Sequence, residues 1–333
     1  MAVSIKDIAK EANVSPSTVS RALNNHPRIS DKTKKQIRTL AKEMEYVPSA
    51  IARDLVGQHS ATIGVAISDF LNPFYSDIVA SIEDVAVANN YQVFVSSFYR
   101  DKQRELELFN IFYERRFAGI IVSGSLVENE YLSLPHSDSM PVVLINCPNY
   151  PFSVSADKVL GARLAVEYLV ELGHRRIAFI RQGFSSENAR LRLNSFRETL
   201  NGYGITVDER YIIAGDEWFT GGVRAVAQLL ALAEPPTAVF CFNDMTAIGA
   251  INALQQKGYN VPQDLSVIGF DDLDIAYFYH PSLTTVRQPI YQIGRSAAKM
   301  LYSLIQSQGN IQAQVLEPEL VIRGSTAPPN SPI

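Results

Sequence analysis

From residue 61 onward, short apolar runs alternate with amphipathic helical segments, and this alternation restricts the chain more than any other feature. The runs fall at 63–67, 92–96, 119–122 and 142–145, and helical spacing of apolar residues fills 74–88 and 104–113. Strands separated by helices pair in parallel, because only a long crossover brings the second strand back in the same direction. The same rhythm restarts with helix 161–172, strand 177–180, helix 189–200, strand 211–213, helix 221–232, strand 238–242, helix 246–256 and strand 266–270. The pattern predicts two similar α/β lobes, each a doubly wound parallel sheet. A helix at 290–304 and a strand at 315–322 are left over and must dock somewhere.

The 333 residues exceed what one ordinary core organises. With 47% hydrophobic and 19% charged residues, the chain has enough apolar material to fold throughout. No run reaches the roughly 20 apolar residues that span a bilayer, and residues 1–7 lack the apolar stretch of an export signal, so membrane insertion and secretion are not expected. Cys147 and Cys241 each sit in a strand-like segment without a nearby cysteine, which speaks against disulfides and structural zinc. The expectation is a cytoplasmic protein without cofactor or metal.

Charge is unevenly placed. Residues 1–60 hold ten Lys and Arg against six Asp and Glu, while the rest holds twenty against twenty-eight. A basic head on an acidic body is either a nucleic-acid contact, driven by counterion release from phosphates, or a solvated helical surface. Ser4 and Asp7 form a capping-box spacing, and Ile5, Ile8, Ala9 and Ala12 share a helix face to about residue 12. Asn13 and Val14 make a turn; Ser15 then caps a helix over 16–24 with Pro16 at its first position. Val19, Ala22 and Leu23 face inward, and Pro16, Ser17, Ser20 and Arg21 face outward. Ser30 caps a third helix to about residue 45, whose Ile37, Leu40, Ala41 and Met44 close a small core. Two short helices around a tight turn suit a major groove. The Arg21 fork fits guanine O6 and N7, with a phosphate contact as the alternative, and Ser15, Ser17, Thr18 and Ser20 serve as DNA donors or simply as caps or surface residues.

The run from Ile5 through Ala9, Ala12, Val14, Ser15, Thr18, Val19, Ser20, Arg21, Ala22 and Leu23 to Asn24 resembles the signature helix-turn-helix of the lactose/galactose repressor (LacI/GalR) family of bacterial transcription regulators, and the likeness continues through Ser30–Thr33 and residues 46–55. The resemblance implies an all-α helix-turn-helix head plus an α/β body of two periplasmic-binding-protein-like lobes. It implies a division into 1–46 for the head, 47–60 for a hinge and linker, 61–158 plus 289–318 for one lobe, and 159–288 plus 319–333 for the other. It also implies that Pro16, Ser17 and Arg21 read bases, that Arg28 reaches the operator from its loop, and that Asn24 approaches phosphate. Pro16 departs from the larger hydrogen-bonding residue often found there, so the operator sequence does not transfer. Residues 48–56 are too short for a stable isolated helix. The family pattern makes them a hinge helix that folds on operator DNA, with Leu55 wedged into the minor groove beside Ala52 and Arg53; the alternative is that Leu55 packs within a rigid linker.

In doubly wound sheets the ligand sits beyond the carboxyl ends of the strands. Those ends carry Asp69, Phe70, Asn72, Phe74 and Tyr75, then Ser123 and Ser125, then Asn146 in the first lobe. The second lobe supplies Arg192, Trp218 near Asp216, Asn243 with Asp244, and Asp271. Amides, carboxylates, an arginine and aromatic rings suit the hydroxyls and apolar face of a sugar, a sugar derivative or a nucleoside. The resemblance singles out Asn72, Phe74, Arg192, Asn243 and Asp271; capping and turn chemistry is the competing explanation, strongest for Asp216 and Asp244. Asn146 stands where sugar-binding relatives commonly have aspartate, which speaks against a simple aldose.

No nucleotide-binding, nucleophile-elbow or zinc-protease motif occurs, and His26, His59, His136, His174 and His280 are scattered as surface histidines are, so an enzyme is not expected. The Gly221–Gly222 pair reads only as a helix opening. A transport-type binding protein would not explain Arg21 and its helix. A regulator answering to a phosphorylated carrier protein is the other alternative, although Gln292 after Tyr291 is not the acidic residue of such regulators. The expected protein is a homodimeric repressor of double-stranded operator DNA, controlled by a small-molecule effector; the tail lacks leucine heptads for a tetramer.

Overall fold

The computed structural model describes residues 3–46, 60–128, 130–134, 139–183, 186–309 and 311–330. Residues up to 60 and residues from 61 form two compact units. The first contains α1 (Ile5–Glu11), α2 (Pro16–Leu23) and α3 (Asp31–Glu43). Each begins at a serine cap. The Ser4 amide donates to Asp7 Oδ2 at 2.9 Å, and the Ser15 and Ser30 hydroxyls accept from the Thr18 and Thr33 amides at 3.2 Å. Ile8, Val19, Ala22, Ile37 and Ala41 close the core. The hinge segment 48–56, with Ala52, Arg53 and Leu55, lies outside the described residues.

The second unit holds two six-stranded sheets. The first is ordered β11-β5-β4-β3-β1-β2 and the second β12-β10-β9-β8-β6-β7. The strands are β1 (Thr62–Ile67), β2 (Gln92–Ser97), β3 (Ile120–Ser123), β4 (Val142–Ile145), β5 (Ser153–Ala156), β6 (Ile177–Arg181), β7 (Ile212–Ala214), β8 (Ala238–Cys241), β9 (Ser266–Asp271), β10 (Thr284–Arg287), β11 (Gln314–Leu316) and β12 (Glu319–Val321). All pairings are parallel except β10 with β12. Covering helices on both faces make the central strands apolar throughout, which is why they read as continuous runs. On the first sheet these helices are α4 (Pro73–Ala88), α5 (Lys102–Glu114) and α11 (Ile290–Ile305). On the second they are α6 (Lys158–Glu171), α7 (Glu187–Gly202), α8 (Phe219–Leu230) and α9 (Asp244–Gln256), with the short α10 (Asp274–Phe278) following β9.

Several sequence expectations are corrected. The tail segment 315–322 is two strands rather than one: β11 runs parallel to β5 in the first sheet, and β12 runs antiparallel to β10 in the second. Pro318 lies between them and cannot donate to a ladder, so the strand breaks where the chain changes sheets. β5 and β10 were not anticipated, because their serines and threonines are buried without forming an apolar run. His174 is buried, hydrogen-bonded to the Thr237 hydroxyl and the Ala327 carbonyl, each at 2.9 Å. Gly222 does more than open α8: a Cβ there would lie 2.1 Å from the Thr246 carbonyl oxygen, and one on Gly249 would lie 2.1 Å from that of Phe219. The two glycines let α8 and α9 pack backbone against backbone.

Candidate functional site

The carboxyl ends of the central strands of the two sheets face each other across a cavity of about 90 Å³. Ser68 follows β1, Ser123 ends β3, Asn146 follows β4, Gln182 follows β6, Asn243 follows β8 and Asp271 ends β9, and all six line it. Asn146 and Asp271, at strand ends, and Arg100 and Glu217, in the loops that follow β2 and β7, have φ of 62°, 122°, 60° and 67°. The other left-handed non-glycine residues mostly terminate helices, as at Asn13, Asn90 and Arg116, where this conformation is routine. Beyond the ends of strands it costs energy and is held only where the surroundings demand it, which points to a site.

Of the expected effector residues, Asn72, Phe74, Ser123, Asn146, Arg192, Asn243 and Asp271 line the cavity, and Phe70 and Trp218 do not. Phe70 is exposed, and Trp218 packs against the apolar cluster of the first sheet. Asn72 and Asn243 also cap helices, accepting from the Phe74 amide at 3.0 Å and the Thr246 amide at 2.9 Å. Ser125 donates to the buried Glu105 carboxylate. Asp69 accepts from the Leu71 amide and Asp216 from the Trp218 amide and Thr220 hydroxyl, so these two are turn and cap residues; Asp244 is instead a buried carboxylate that accepts from the distant Leu273 amide and Thr285 hydroxyl, which corrects the capping explanation for it.

Lys158, Gln182, Glu217 and Gln288 also line the cavity and were missed. Lys158 and Gln288 lie on the segments that carry the chain from one sheet to the other, after β5 and after β10, and there the Lys158 ammonium donates to Gln288 Oε1. Lys158 opens α6 ahead of the helical period that starts near 161, and Gln288 follows β10, a strand without an apolar run, so no sequence pattern marks either. Glu217 has no sequence signature, since glutamate does not favour its left-handed backbone.

Arg192 is sandwiched between the rings of Phe242 and Phe270, its guanidinium carbon 4.2 and 3.6 Å from their centroids, and it donates to the Phe242 carbonyl. Burial pulls it down to about 10, opposed by Asp271 and Glu217, so it remains a cation at neutral pH. Burial raises Asp271 to about 6, opposed by Arg192, the Gln288 amide and Lys158. Glu217 is raised to about 7 by burial, opposed by Arg100, which reaches from the first lobe to pair with it at 2.6 Å, and by Gln182, which donates to it. Asn188 donates across the same cleft to the Asn146 carbonyl at 2.9 Å. Among the described residues no group of three or more His, Cys, Asp or Glu side chains is placed to hold a metal, and no helix is long and apolar enough to cross a membrane.

In the head, Pro16, Ser17, Arg21, Asn24 and Arg28 are exposed and Thr18 and Ser20 half-buried. The Ser15 hydroxyl is shared with those of Ser17 and Thr18 at 2.8 and 2.9 Å, so it serves the cap. The outward face of α2 therefore offers Arg21, Ser17 and Ser20 on a rigid three-helix support.

A family model described as bacterial regulatory proteins, lacI family, matches residues 4–49, and one described as a periplasmic binding protein-like domain matches residues 166–326. The chain is 36% identical over 329 residues to the HTH-type transcriptional repressor CytR of Escherichia coli (strain K12), covering 98% of this chain and 96% of that one. It is 36% identical over 306 residues to catabolite control protein A of Priestia megaterium, covering 90% and 92%. The lac repressor dimer bound to operator and the anti-inducer ONPF is similar with a TM-score of 0.90 at 31% identity, over 98% of this chain and 100% of that one.

Proposed function

Because the chain belongs to the lacI family of bacterial regulatory proteins, effector-controlled transcriptional repressors that bind operator DNA, we propose that it reads its operator with α2 and answers to a small polyhydroxylated effector held in the cavity between its sheets. One observation carries the effector site. Ser123 Oγ, Asn146 Oδ1, Asn188 Oδ1 and Arg192 Nε are buried without hydrogen-bond partners among the described residues, and all four belong to residues lining the same cavity. Such a group costs roughly 1–3 kcal/mol when unpaired, and a ligand bearing hydroxyls satisfies several at once. This favours a small molecule over a phosphorylated carrier protein as the controlling partner.

Arg21, Ser17 and Ser20 contact base edges or phosphates, Pro16 gives apolar contact, and Asn24 and Arg28 hold the backbone. Residues 48–56 act as the hinge. The protein works as a homodimer on a near-palindromic site with half-sites about one helical turn apart, in the cytoplasm, as a regulator rather than an enzyme. Effector binding changes operator affinity by a coupling of roughly 1–3 kcal/mol. Two substitutions separate the parts. Arg21→Ala abolishes specific operator binding and leaves effector affinity unchanged; equal footprints from both proteins would remove Arg21 from the readout. Asp271→Ala leaves ligand-free DNA binding intact and abolishes the effector response, and an unaltered ligand titration would place the site elsewhere.

A further inference from the structure

The charges around the cavity do not cancel. Glu217 is matched by Arg100 at 2.6 Å. Among the lining residues that leaves Arg192 and Lys158 facing a single carboxylate, Asp271, while Asp157 and Asp244 act on them from outside the lining. Gln288 stands between two of these groups: its oxygen accepts from the Lys158 ammonium and its amide donates to Asp271 Oδ1. A neutral amide thus occupies the place where a carboxylate would have paired with the lysine. Among the described residues Lys158 makes no ion pair, although its side chain is buried and its ammonium lies 6.0 Å from the Phe270 ring centroid. Burial, reinforced by repulsion from Arg192, holds its proton affinity well below that of an ordinary lysine, opposed by Asp271 and Asp157. An ammonium has three donors, and a buried one with a single neutral partner is expensive. Other lining groups present the opposite need: Asn146 Oδ1, Asn188 Oδ1 and Ser123 Oγ are unpaired acceptors that call for hydroxyl donors.

On the reading that this cavity holds the effector, we propose that the effector is a polyhydroxylated monocarboxylate of the sugar-acid class, with its carboxylate on Lys158 and its hydroxyls toward Ser123, Asn146 and Asn188. One negative charge neutralises the uncompensated cation. A phosphate ester, at about −2, leaves an excess negative charge buried, and a neutral sugar leaves the ammonium unpaired.

The test is calorimetry on the full-length protein with glucuronate and galacturonate, the parent hexoses, hexose 6-phosphates and uridine. A hexuronate binds at least about tenfold more tightly than its parent hexose, and Lys158→Met closes that gap, weakening the acid by about 10- to 100-fold. The ligand-free melting temperature of Lys158→Met is equal or higher, since methionine removes a buried charge of similar length. Asn146→Asp is the second variant: by adding a negative charge to the same cavity it weakens the acid relative to the hexose without removing the lysine. Hexose or uridine binding as tightly as the acids, and lost in Asp271→Ala, overturns the charge assignment while the cleft reading stands. Tightest binding of the phosphate ester overturns the monocarboxylate. Silence from every probe overturns the assignment and the cleft reading together.

Discussion

Replacing Arg100 with methionine removes the cation that reaches across the cleft to Glu217, and its cost depends on pH in a way the geometry fixes. Both side chains of the pair are less than one-quarter exposed, so solvent screens them little. Folding raises the Glu217 carboxyl from 4.5 to about 7, chiefly by burial. Its contribution to stability is therefore fully present below pH 4.5 and is lost as pH rises through about 7. Without Arg100 the folded value moves higher still. Well below pH 7 the carboxyl is protonated in both proteins, and the substitution costs only a neutral contact, about 1 kcal/mol. Above pH 7 the wild type ionises against Arg100, while the variant keeps losing stability at about 1.4 kcal/mol per pH unit. At about pH 8.5 the variant is then down by roughly 3 kcal/mol in total, about 6 °C in melting temperature at roughly 2 °C per kcal/mol for a unit of this size. Thermal melts of wild type, Arg100→Met and Glu217→Gln across about pH 5.5 to 8.5 check this, with Glu217→Gln flattening the profile. A deficit in Arg100→Met that is the same at both ends of that range would refute the charge coupling.

Two further substitutions address the folded supports of the two units. Ser15→Ala removes the cap on the Thr18 amide and lowers the stability of the head by about 1 kcal/mol, seen as faster hydrogen exchange at the start of α2; unchanged exchange there would mean the hydroxyl does not cap in solution. Gly222→Ala forces a methyl group to 2.1 Å from the Thr246 carbonyl oxygen and 2.6 Å from the Ala250 nitrogen, so α8 and α9 must part, at about 1–3 kcal/mol in urea unfolding. Gly202→Ala, with nothing within 4 Å, is the control and leaves the midpoint unchanged or slightly higher.

The residues that sequence alone identified are those whose local chemistry repeats or caps. Ser4, Ser15 and Ser30 announce three helices because a hydroxyl before an amphipathic run has one economical use, and the buried parallel strands announce themselves as unbroken apolar runs. Strand ends follow from the strands, which is how the sequence points to Asn146, Asn243 and Asp271, three residues that line the cavity. The chain could not reveal what depends on two distant segments meeting. Lys158 and Gln288, 130 positions apart, become partners because the chain passes between the sheets at both places, and Glu217 meets Arg100 only when the lobes face each other. β5 was hidden for a related reason: serine in a strand is polar by composition, and its burial is decided by what packs over it. Local sequence sets which backbone conformations are cheap, whereas the electrostatics of the cavity come from charges that tertiary packing brings out of water together.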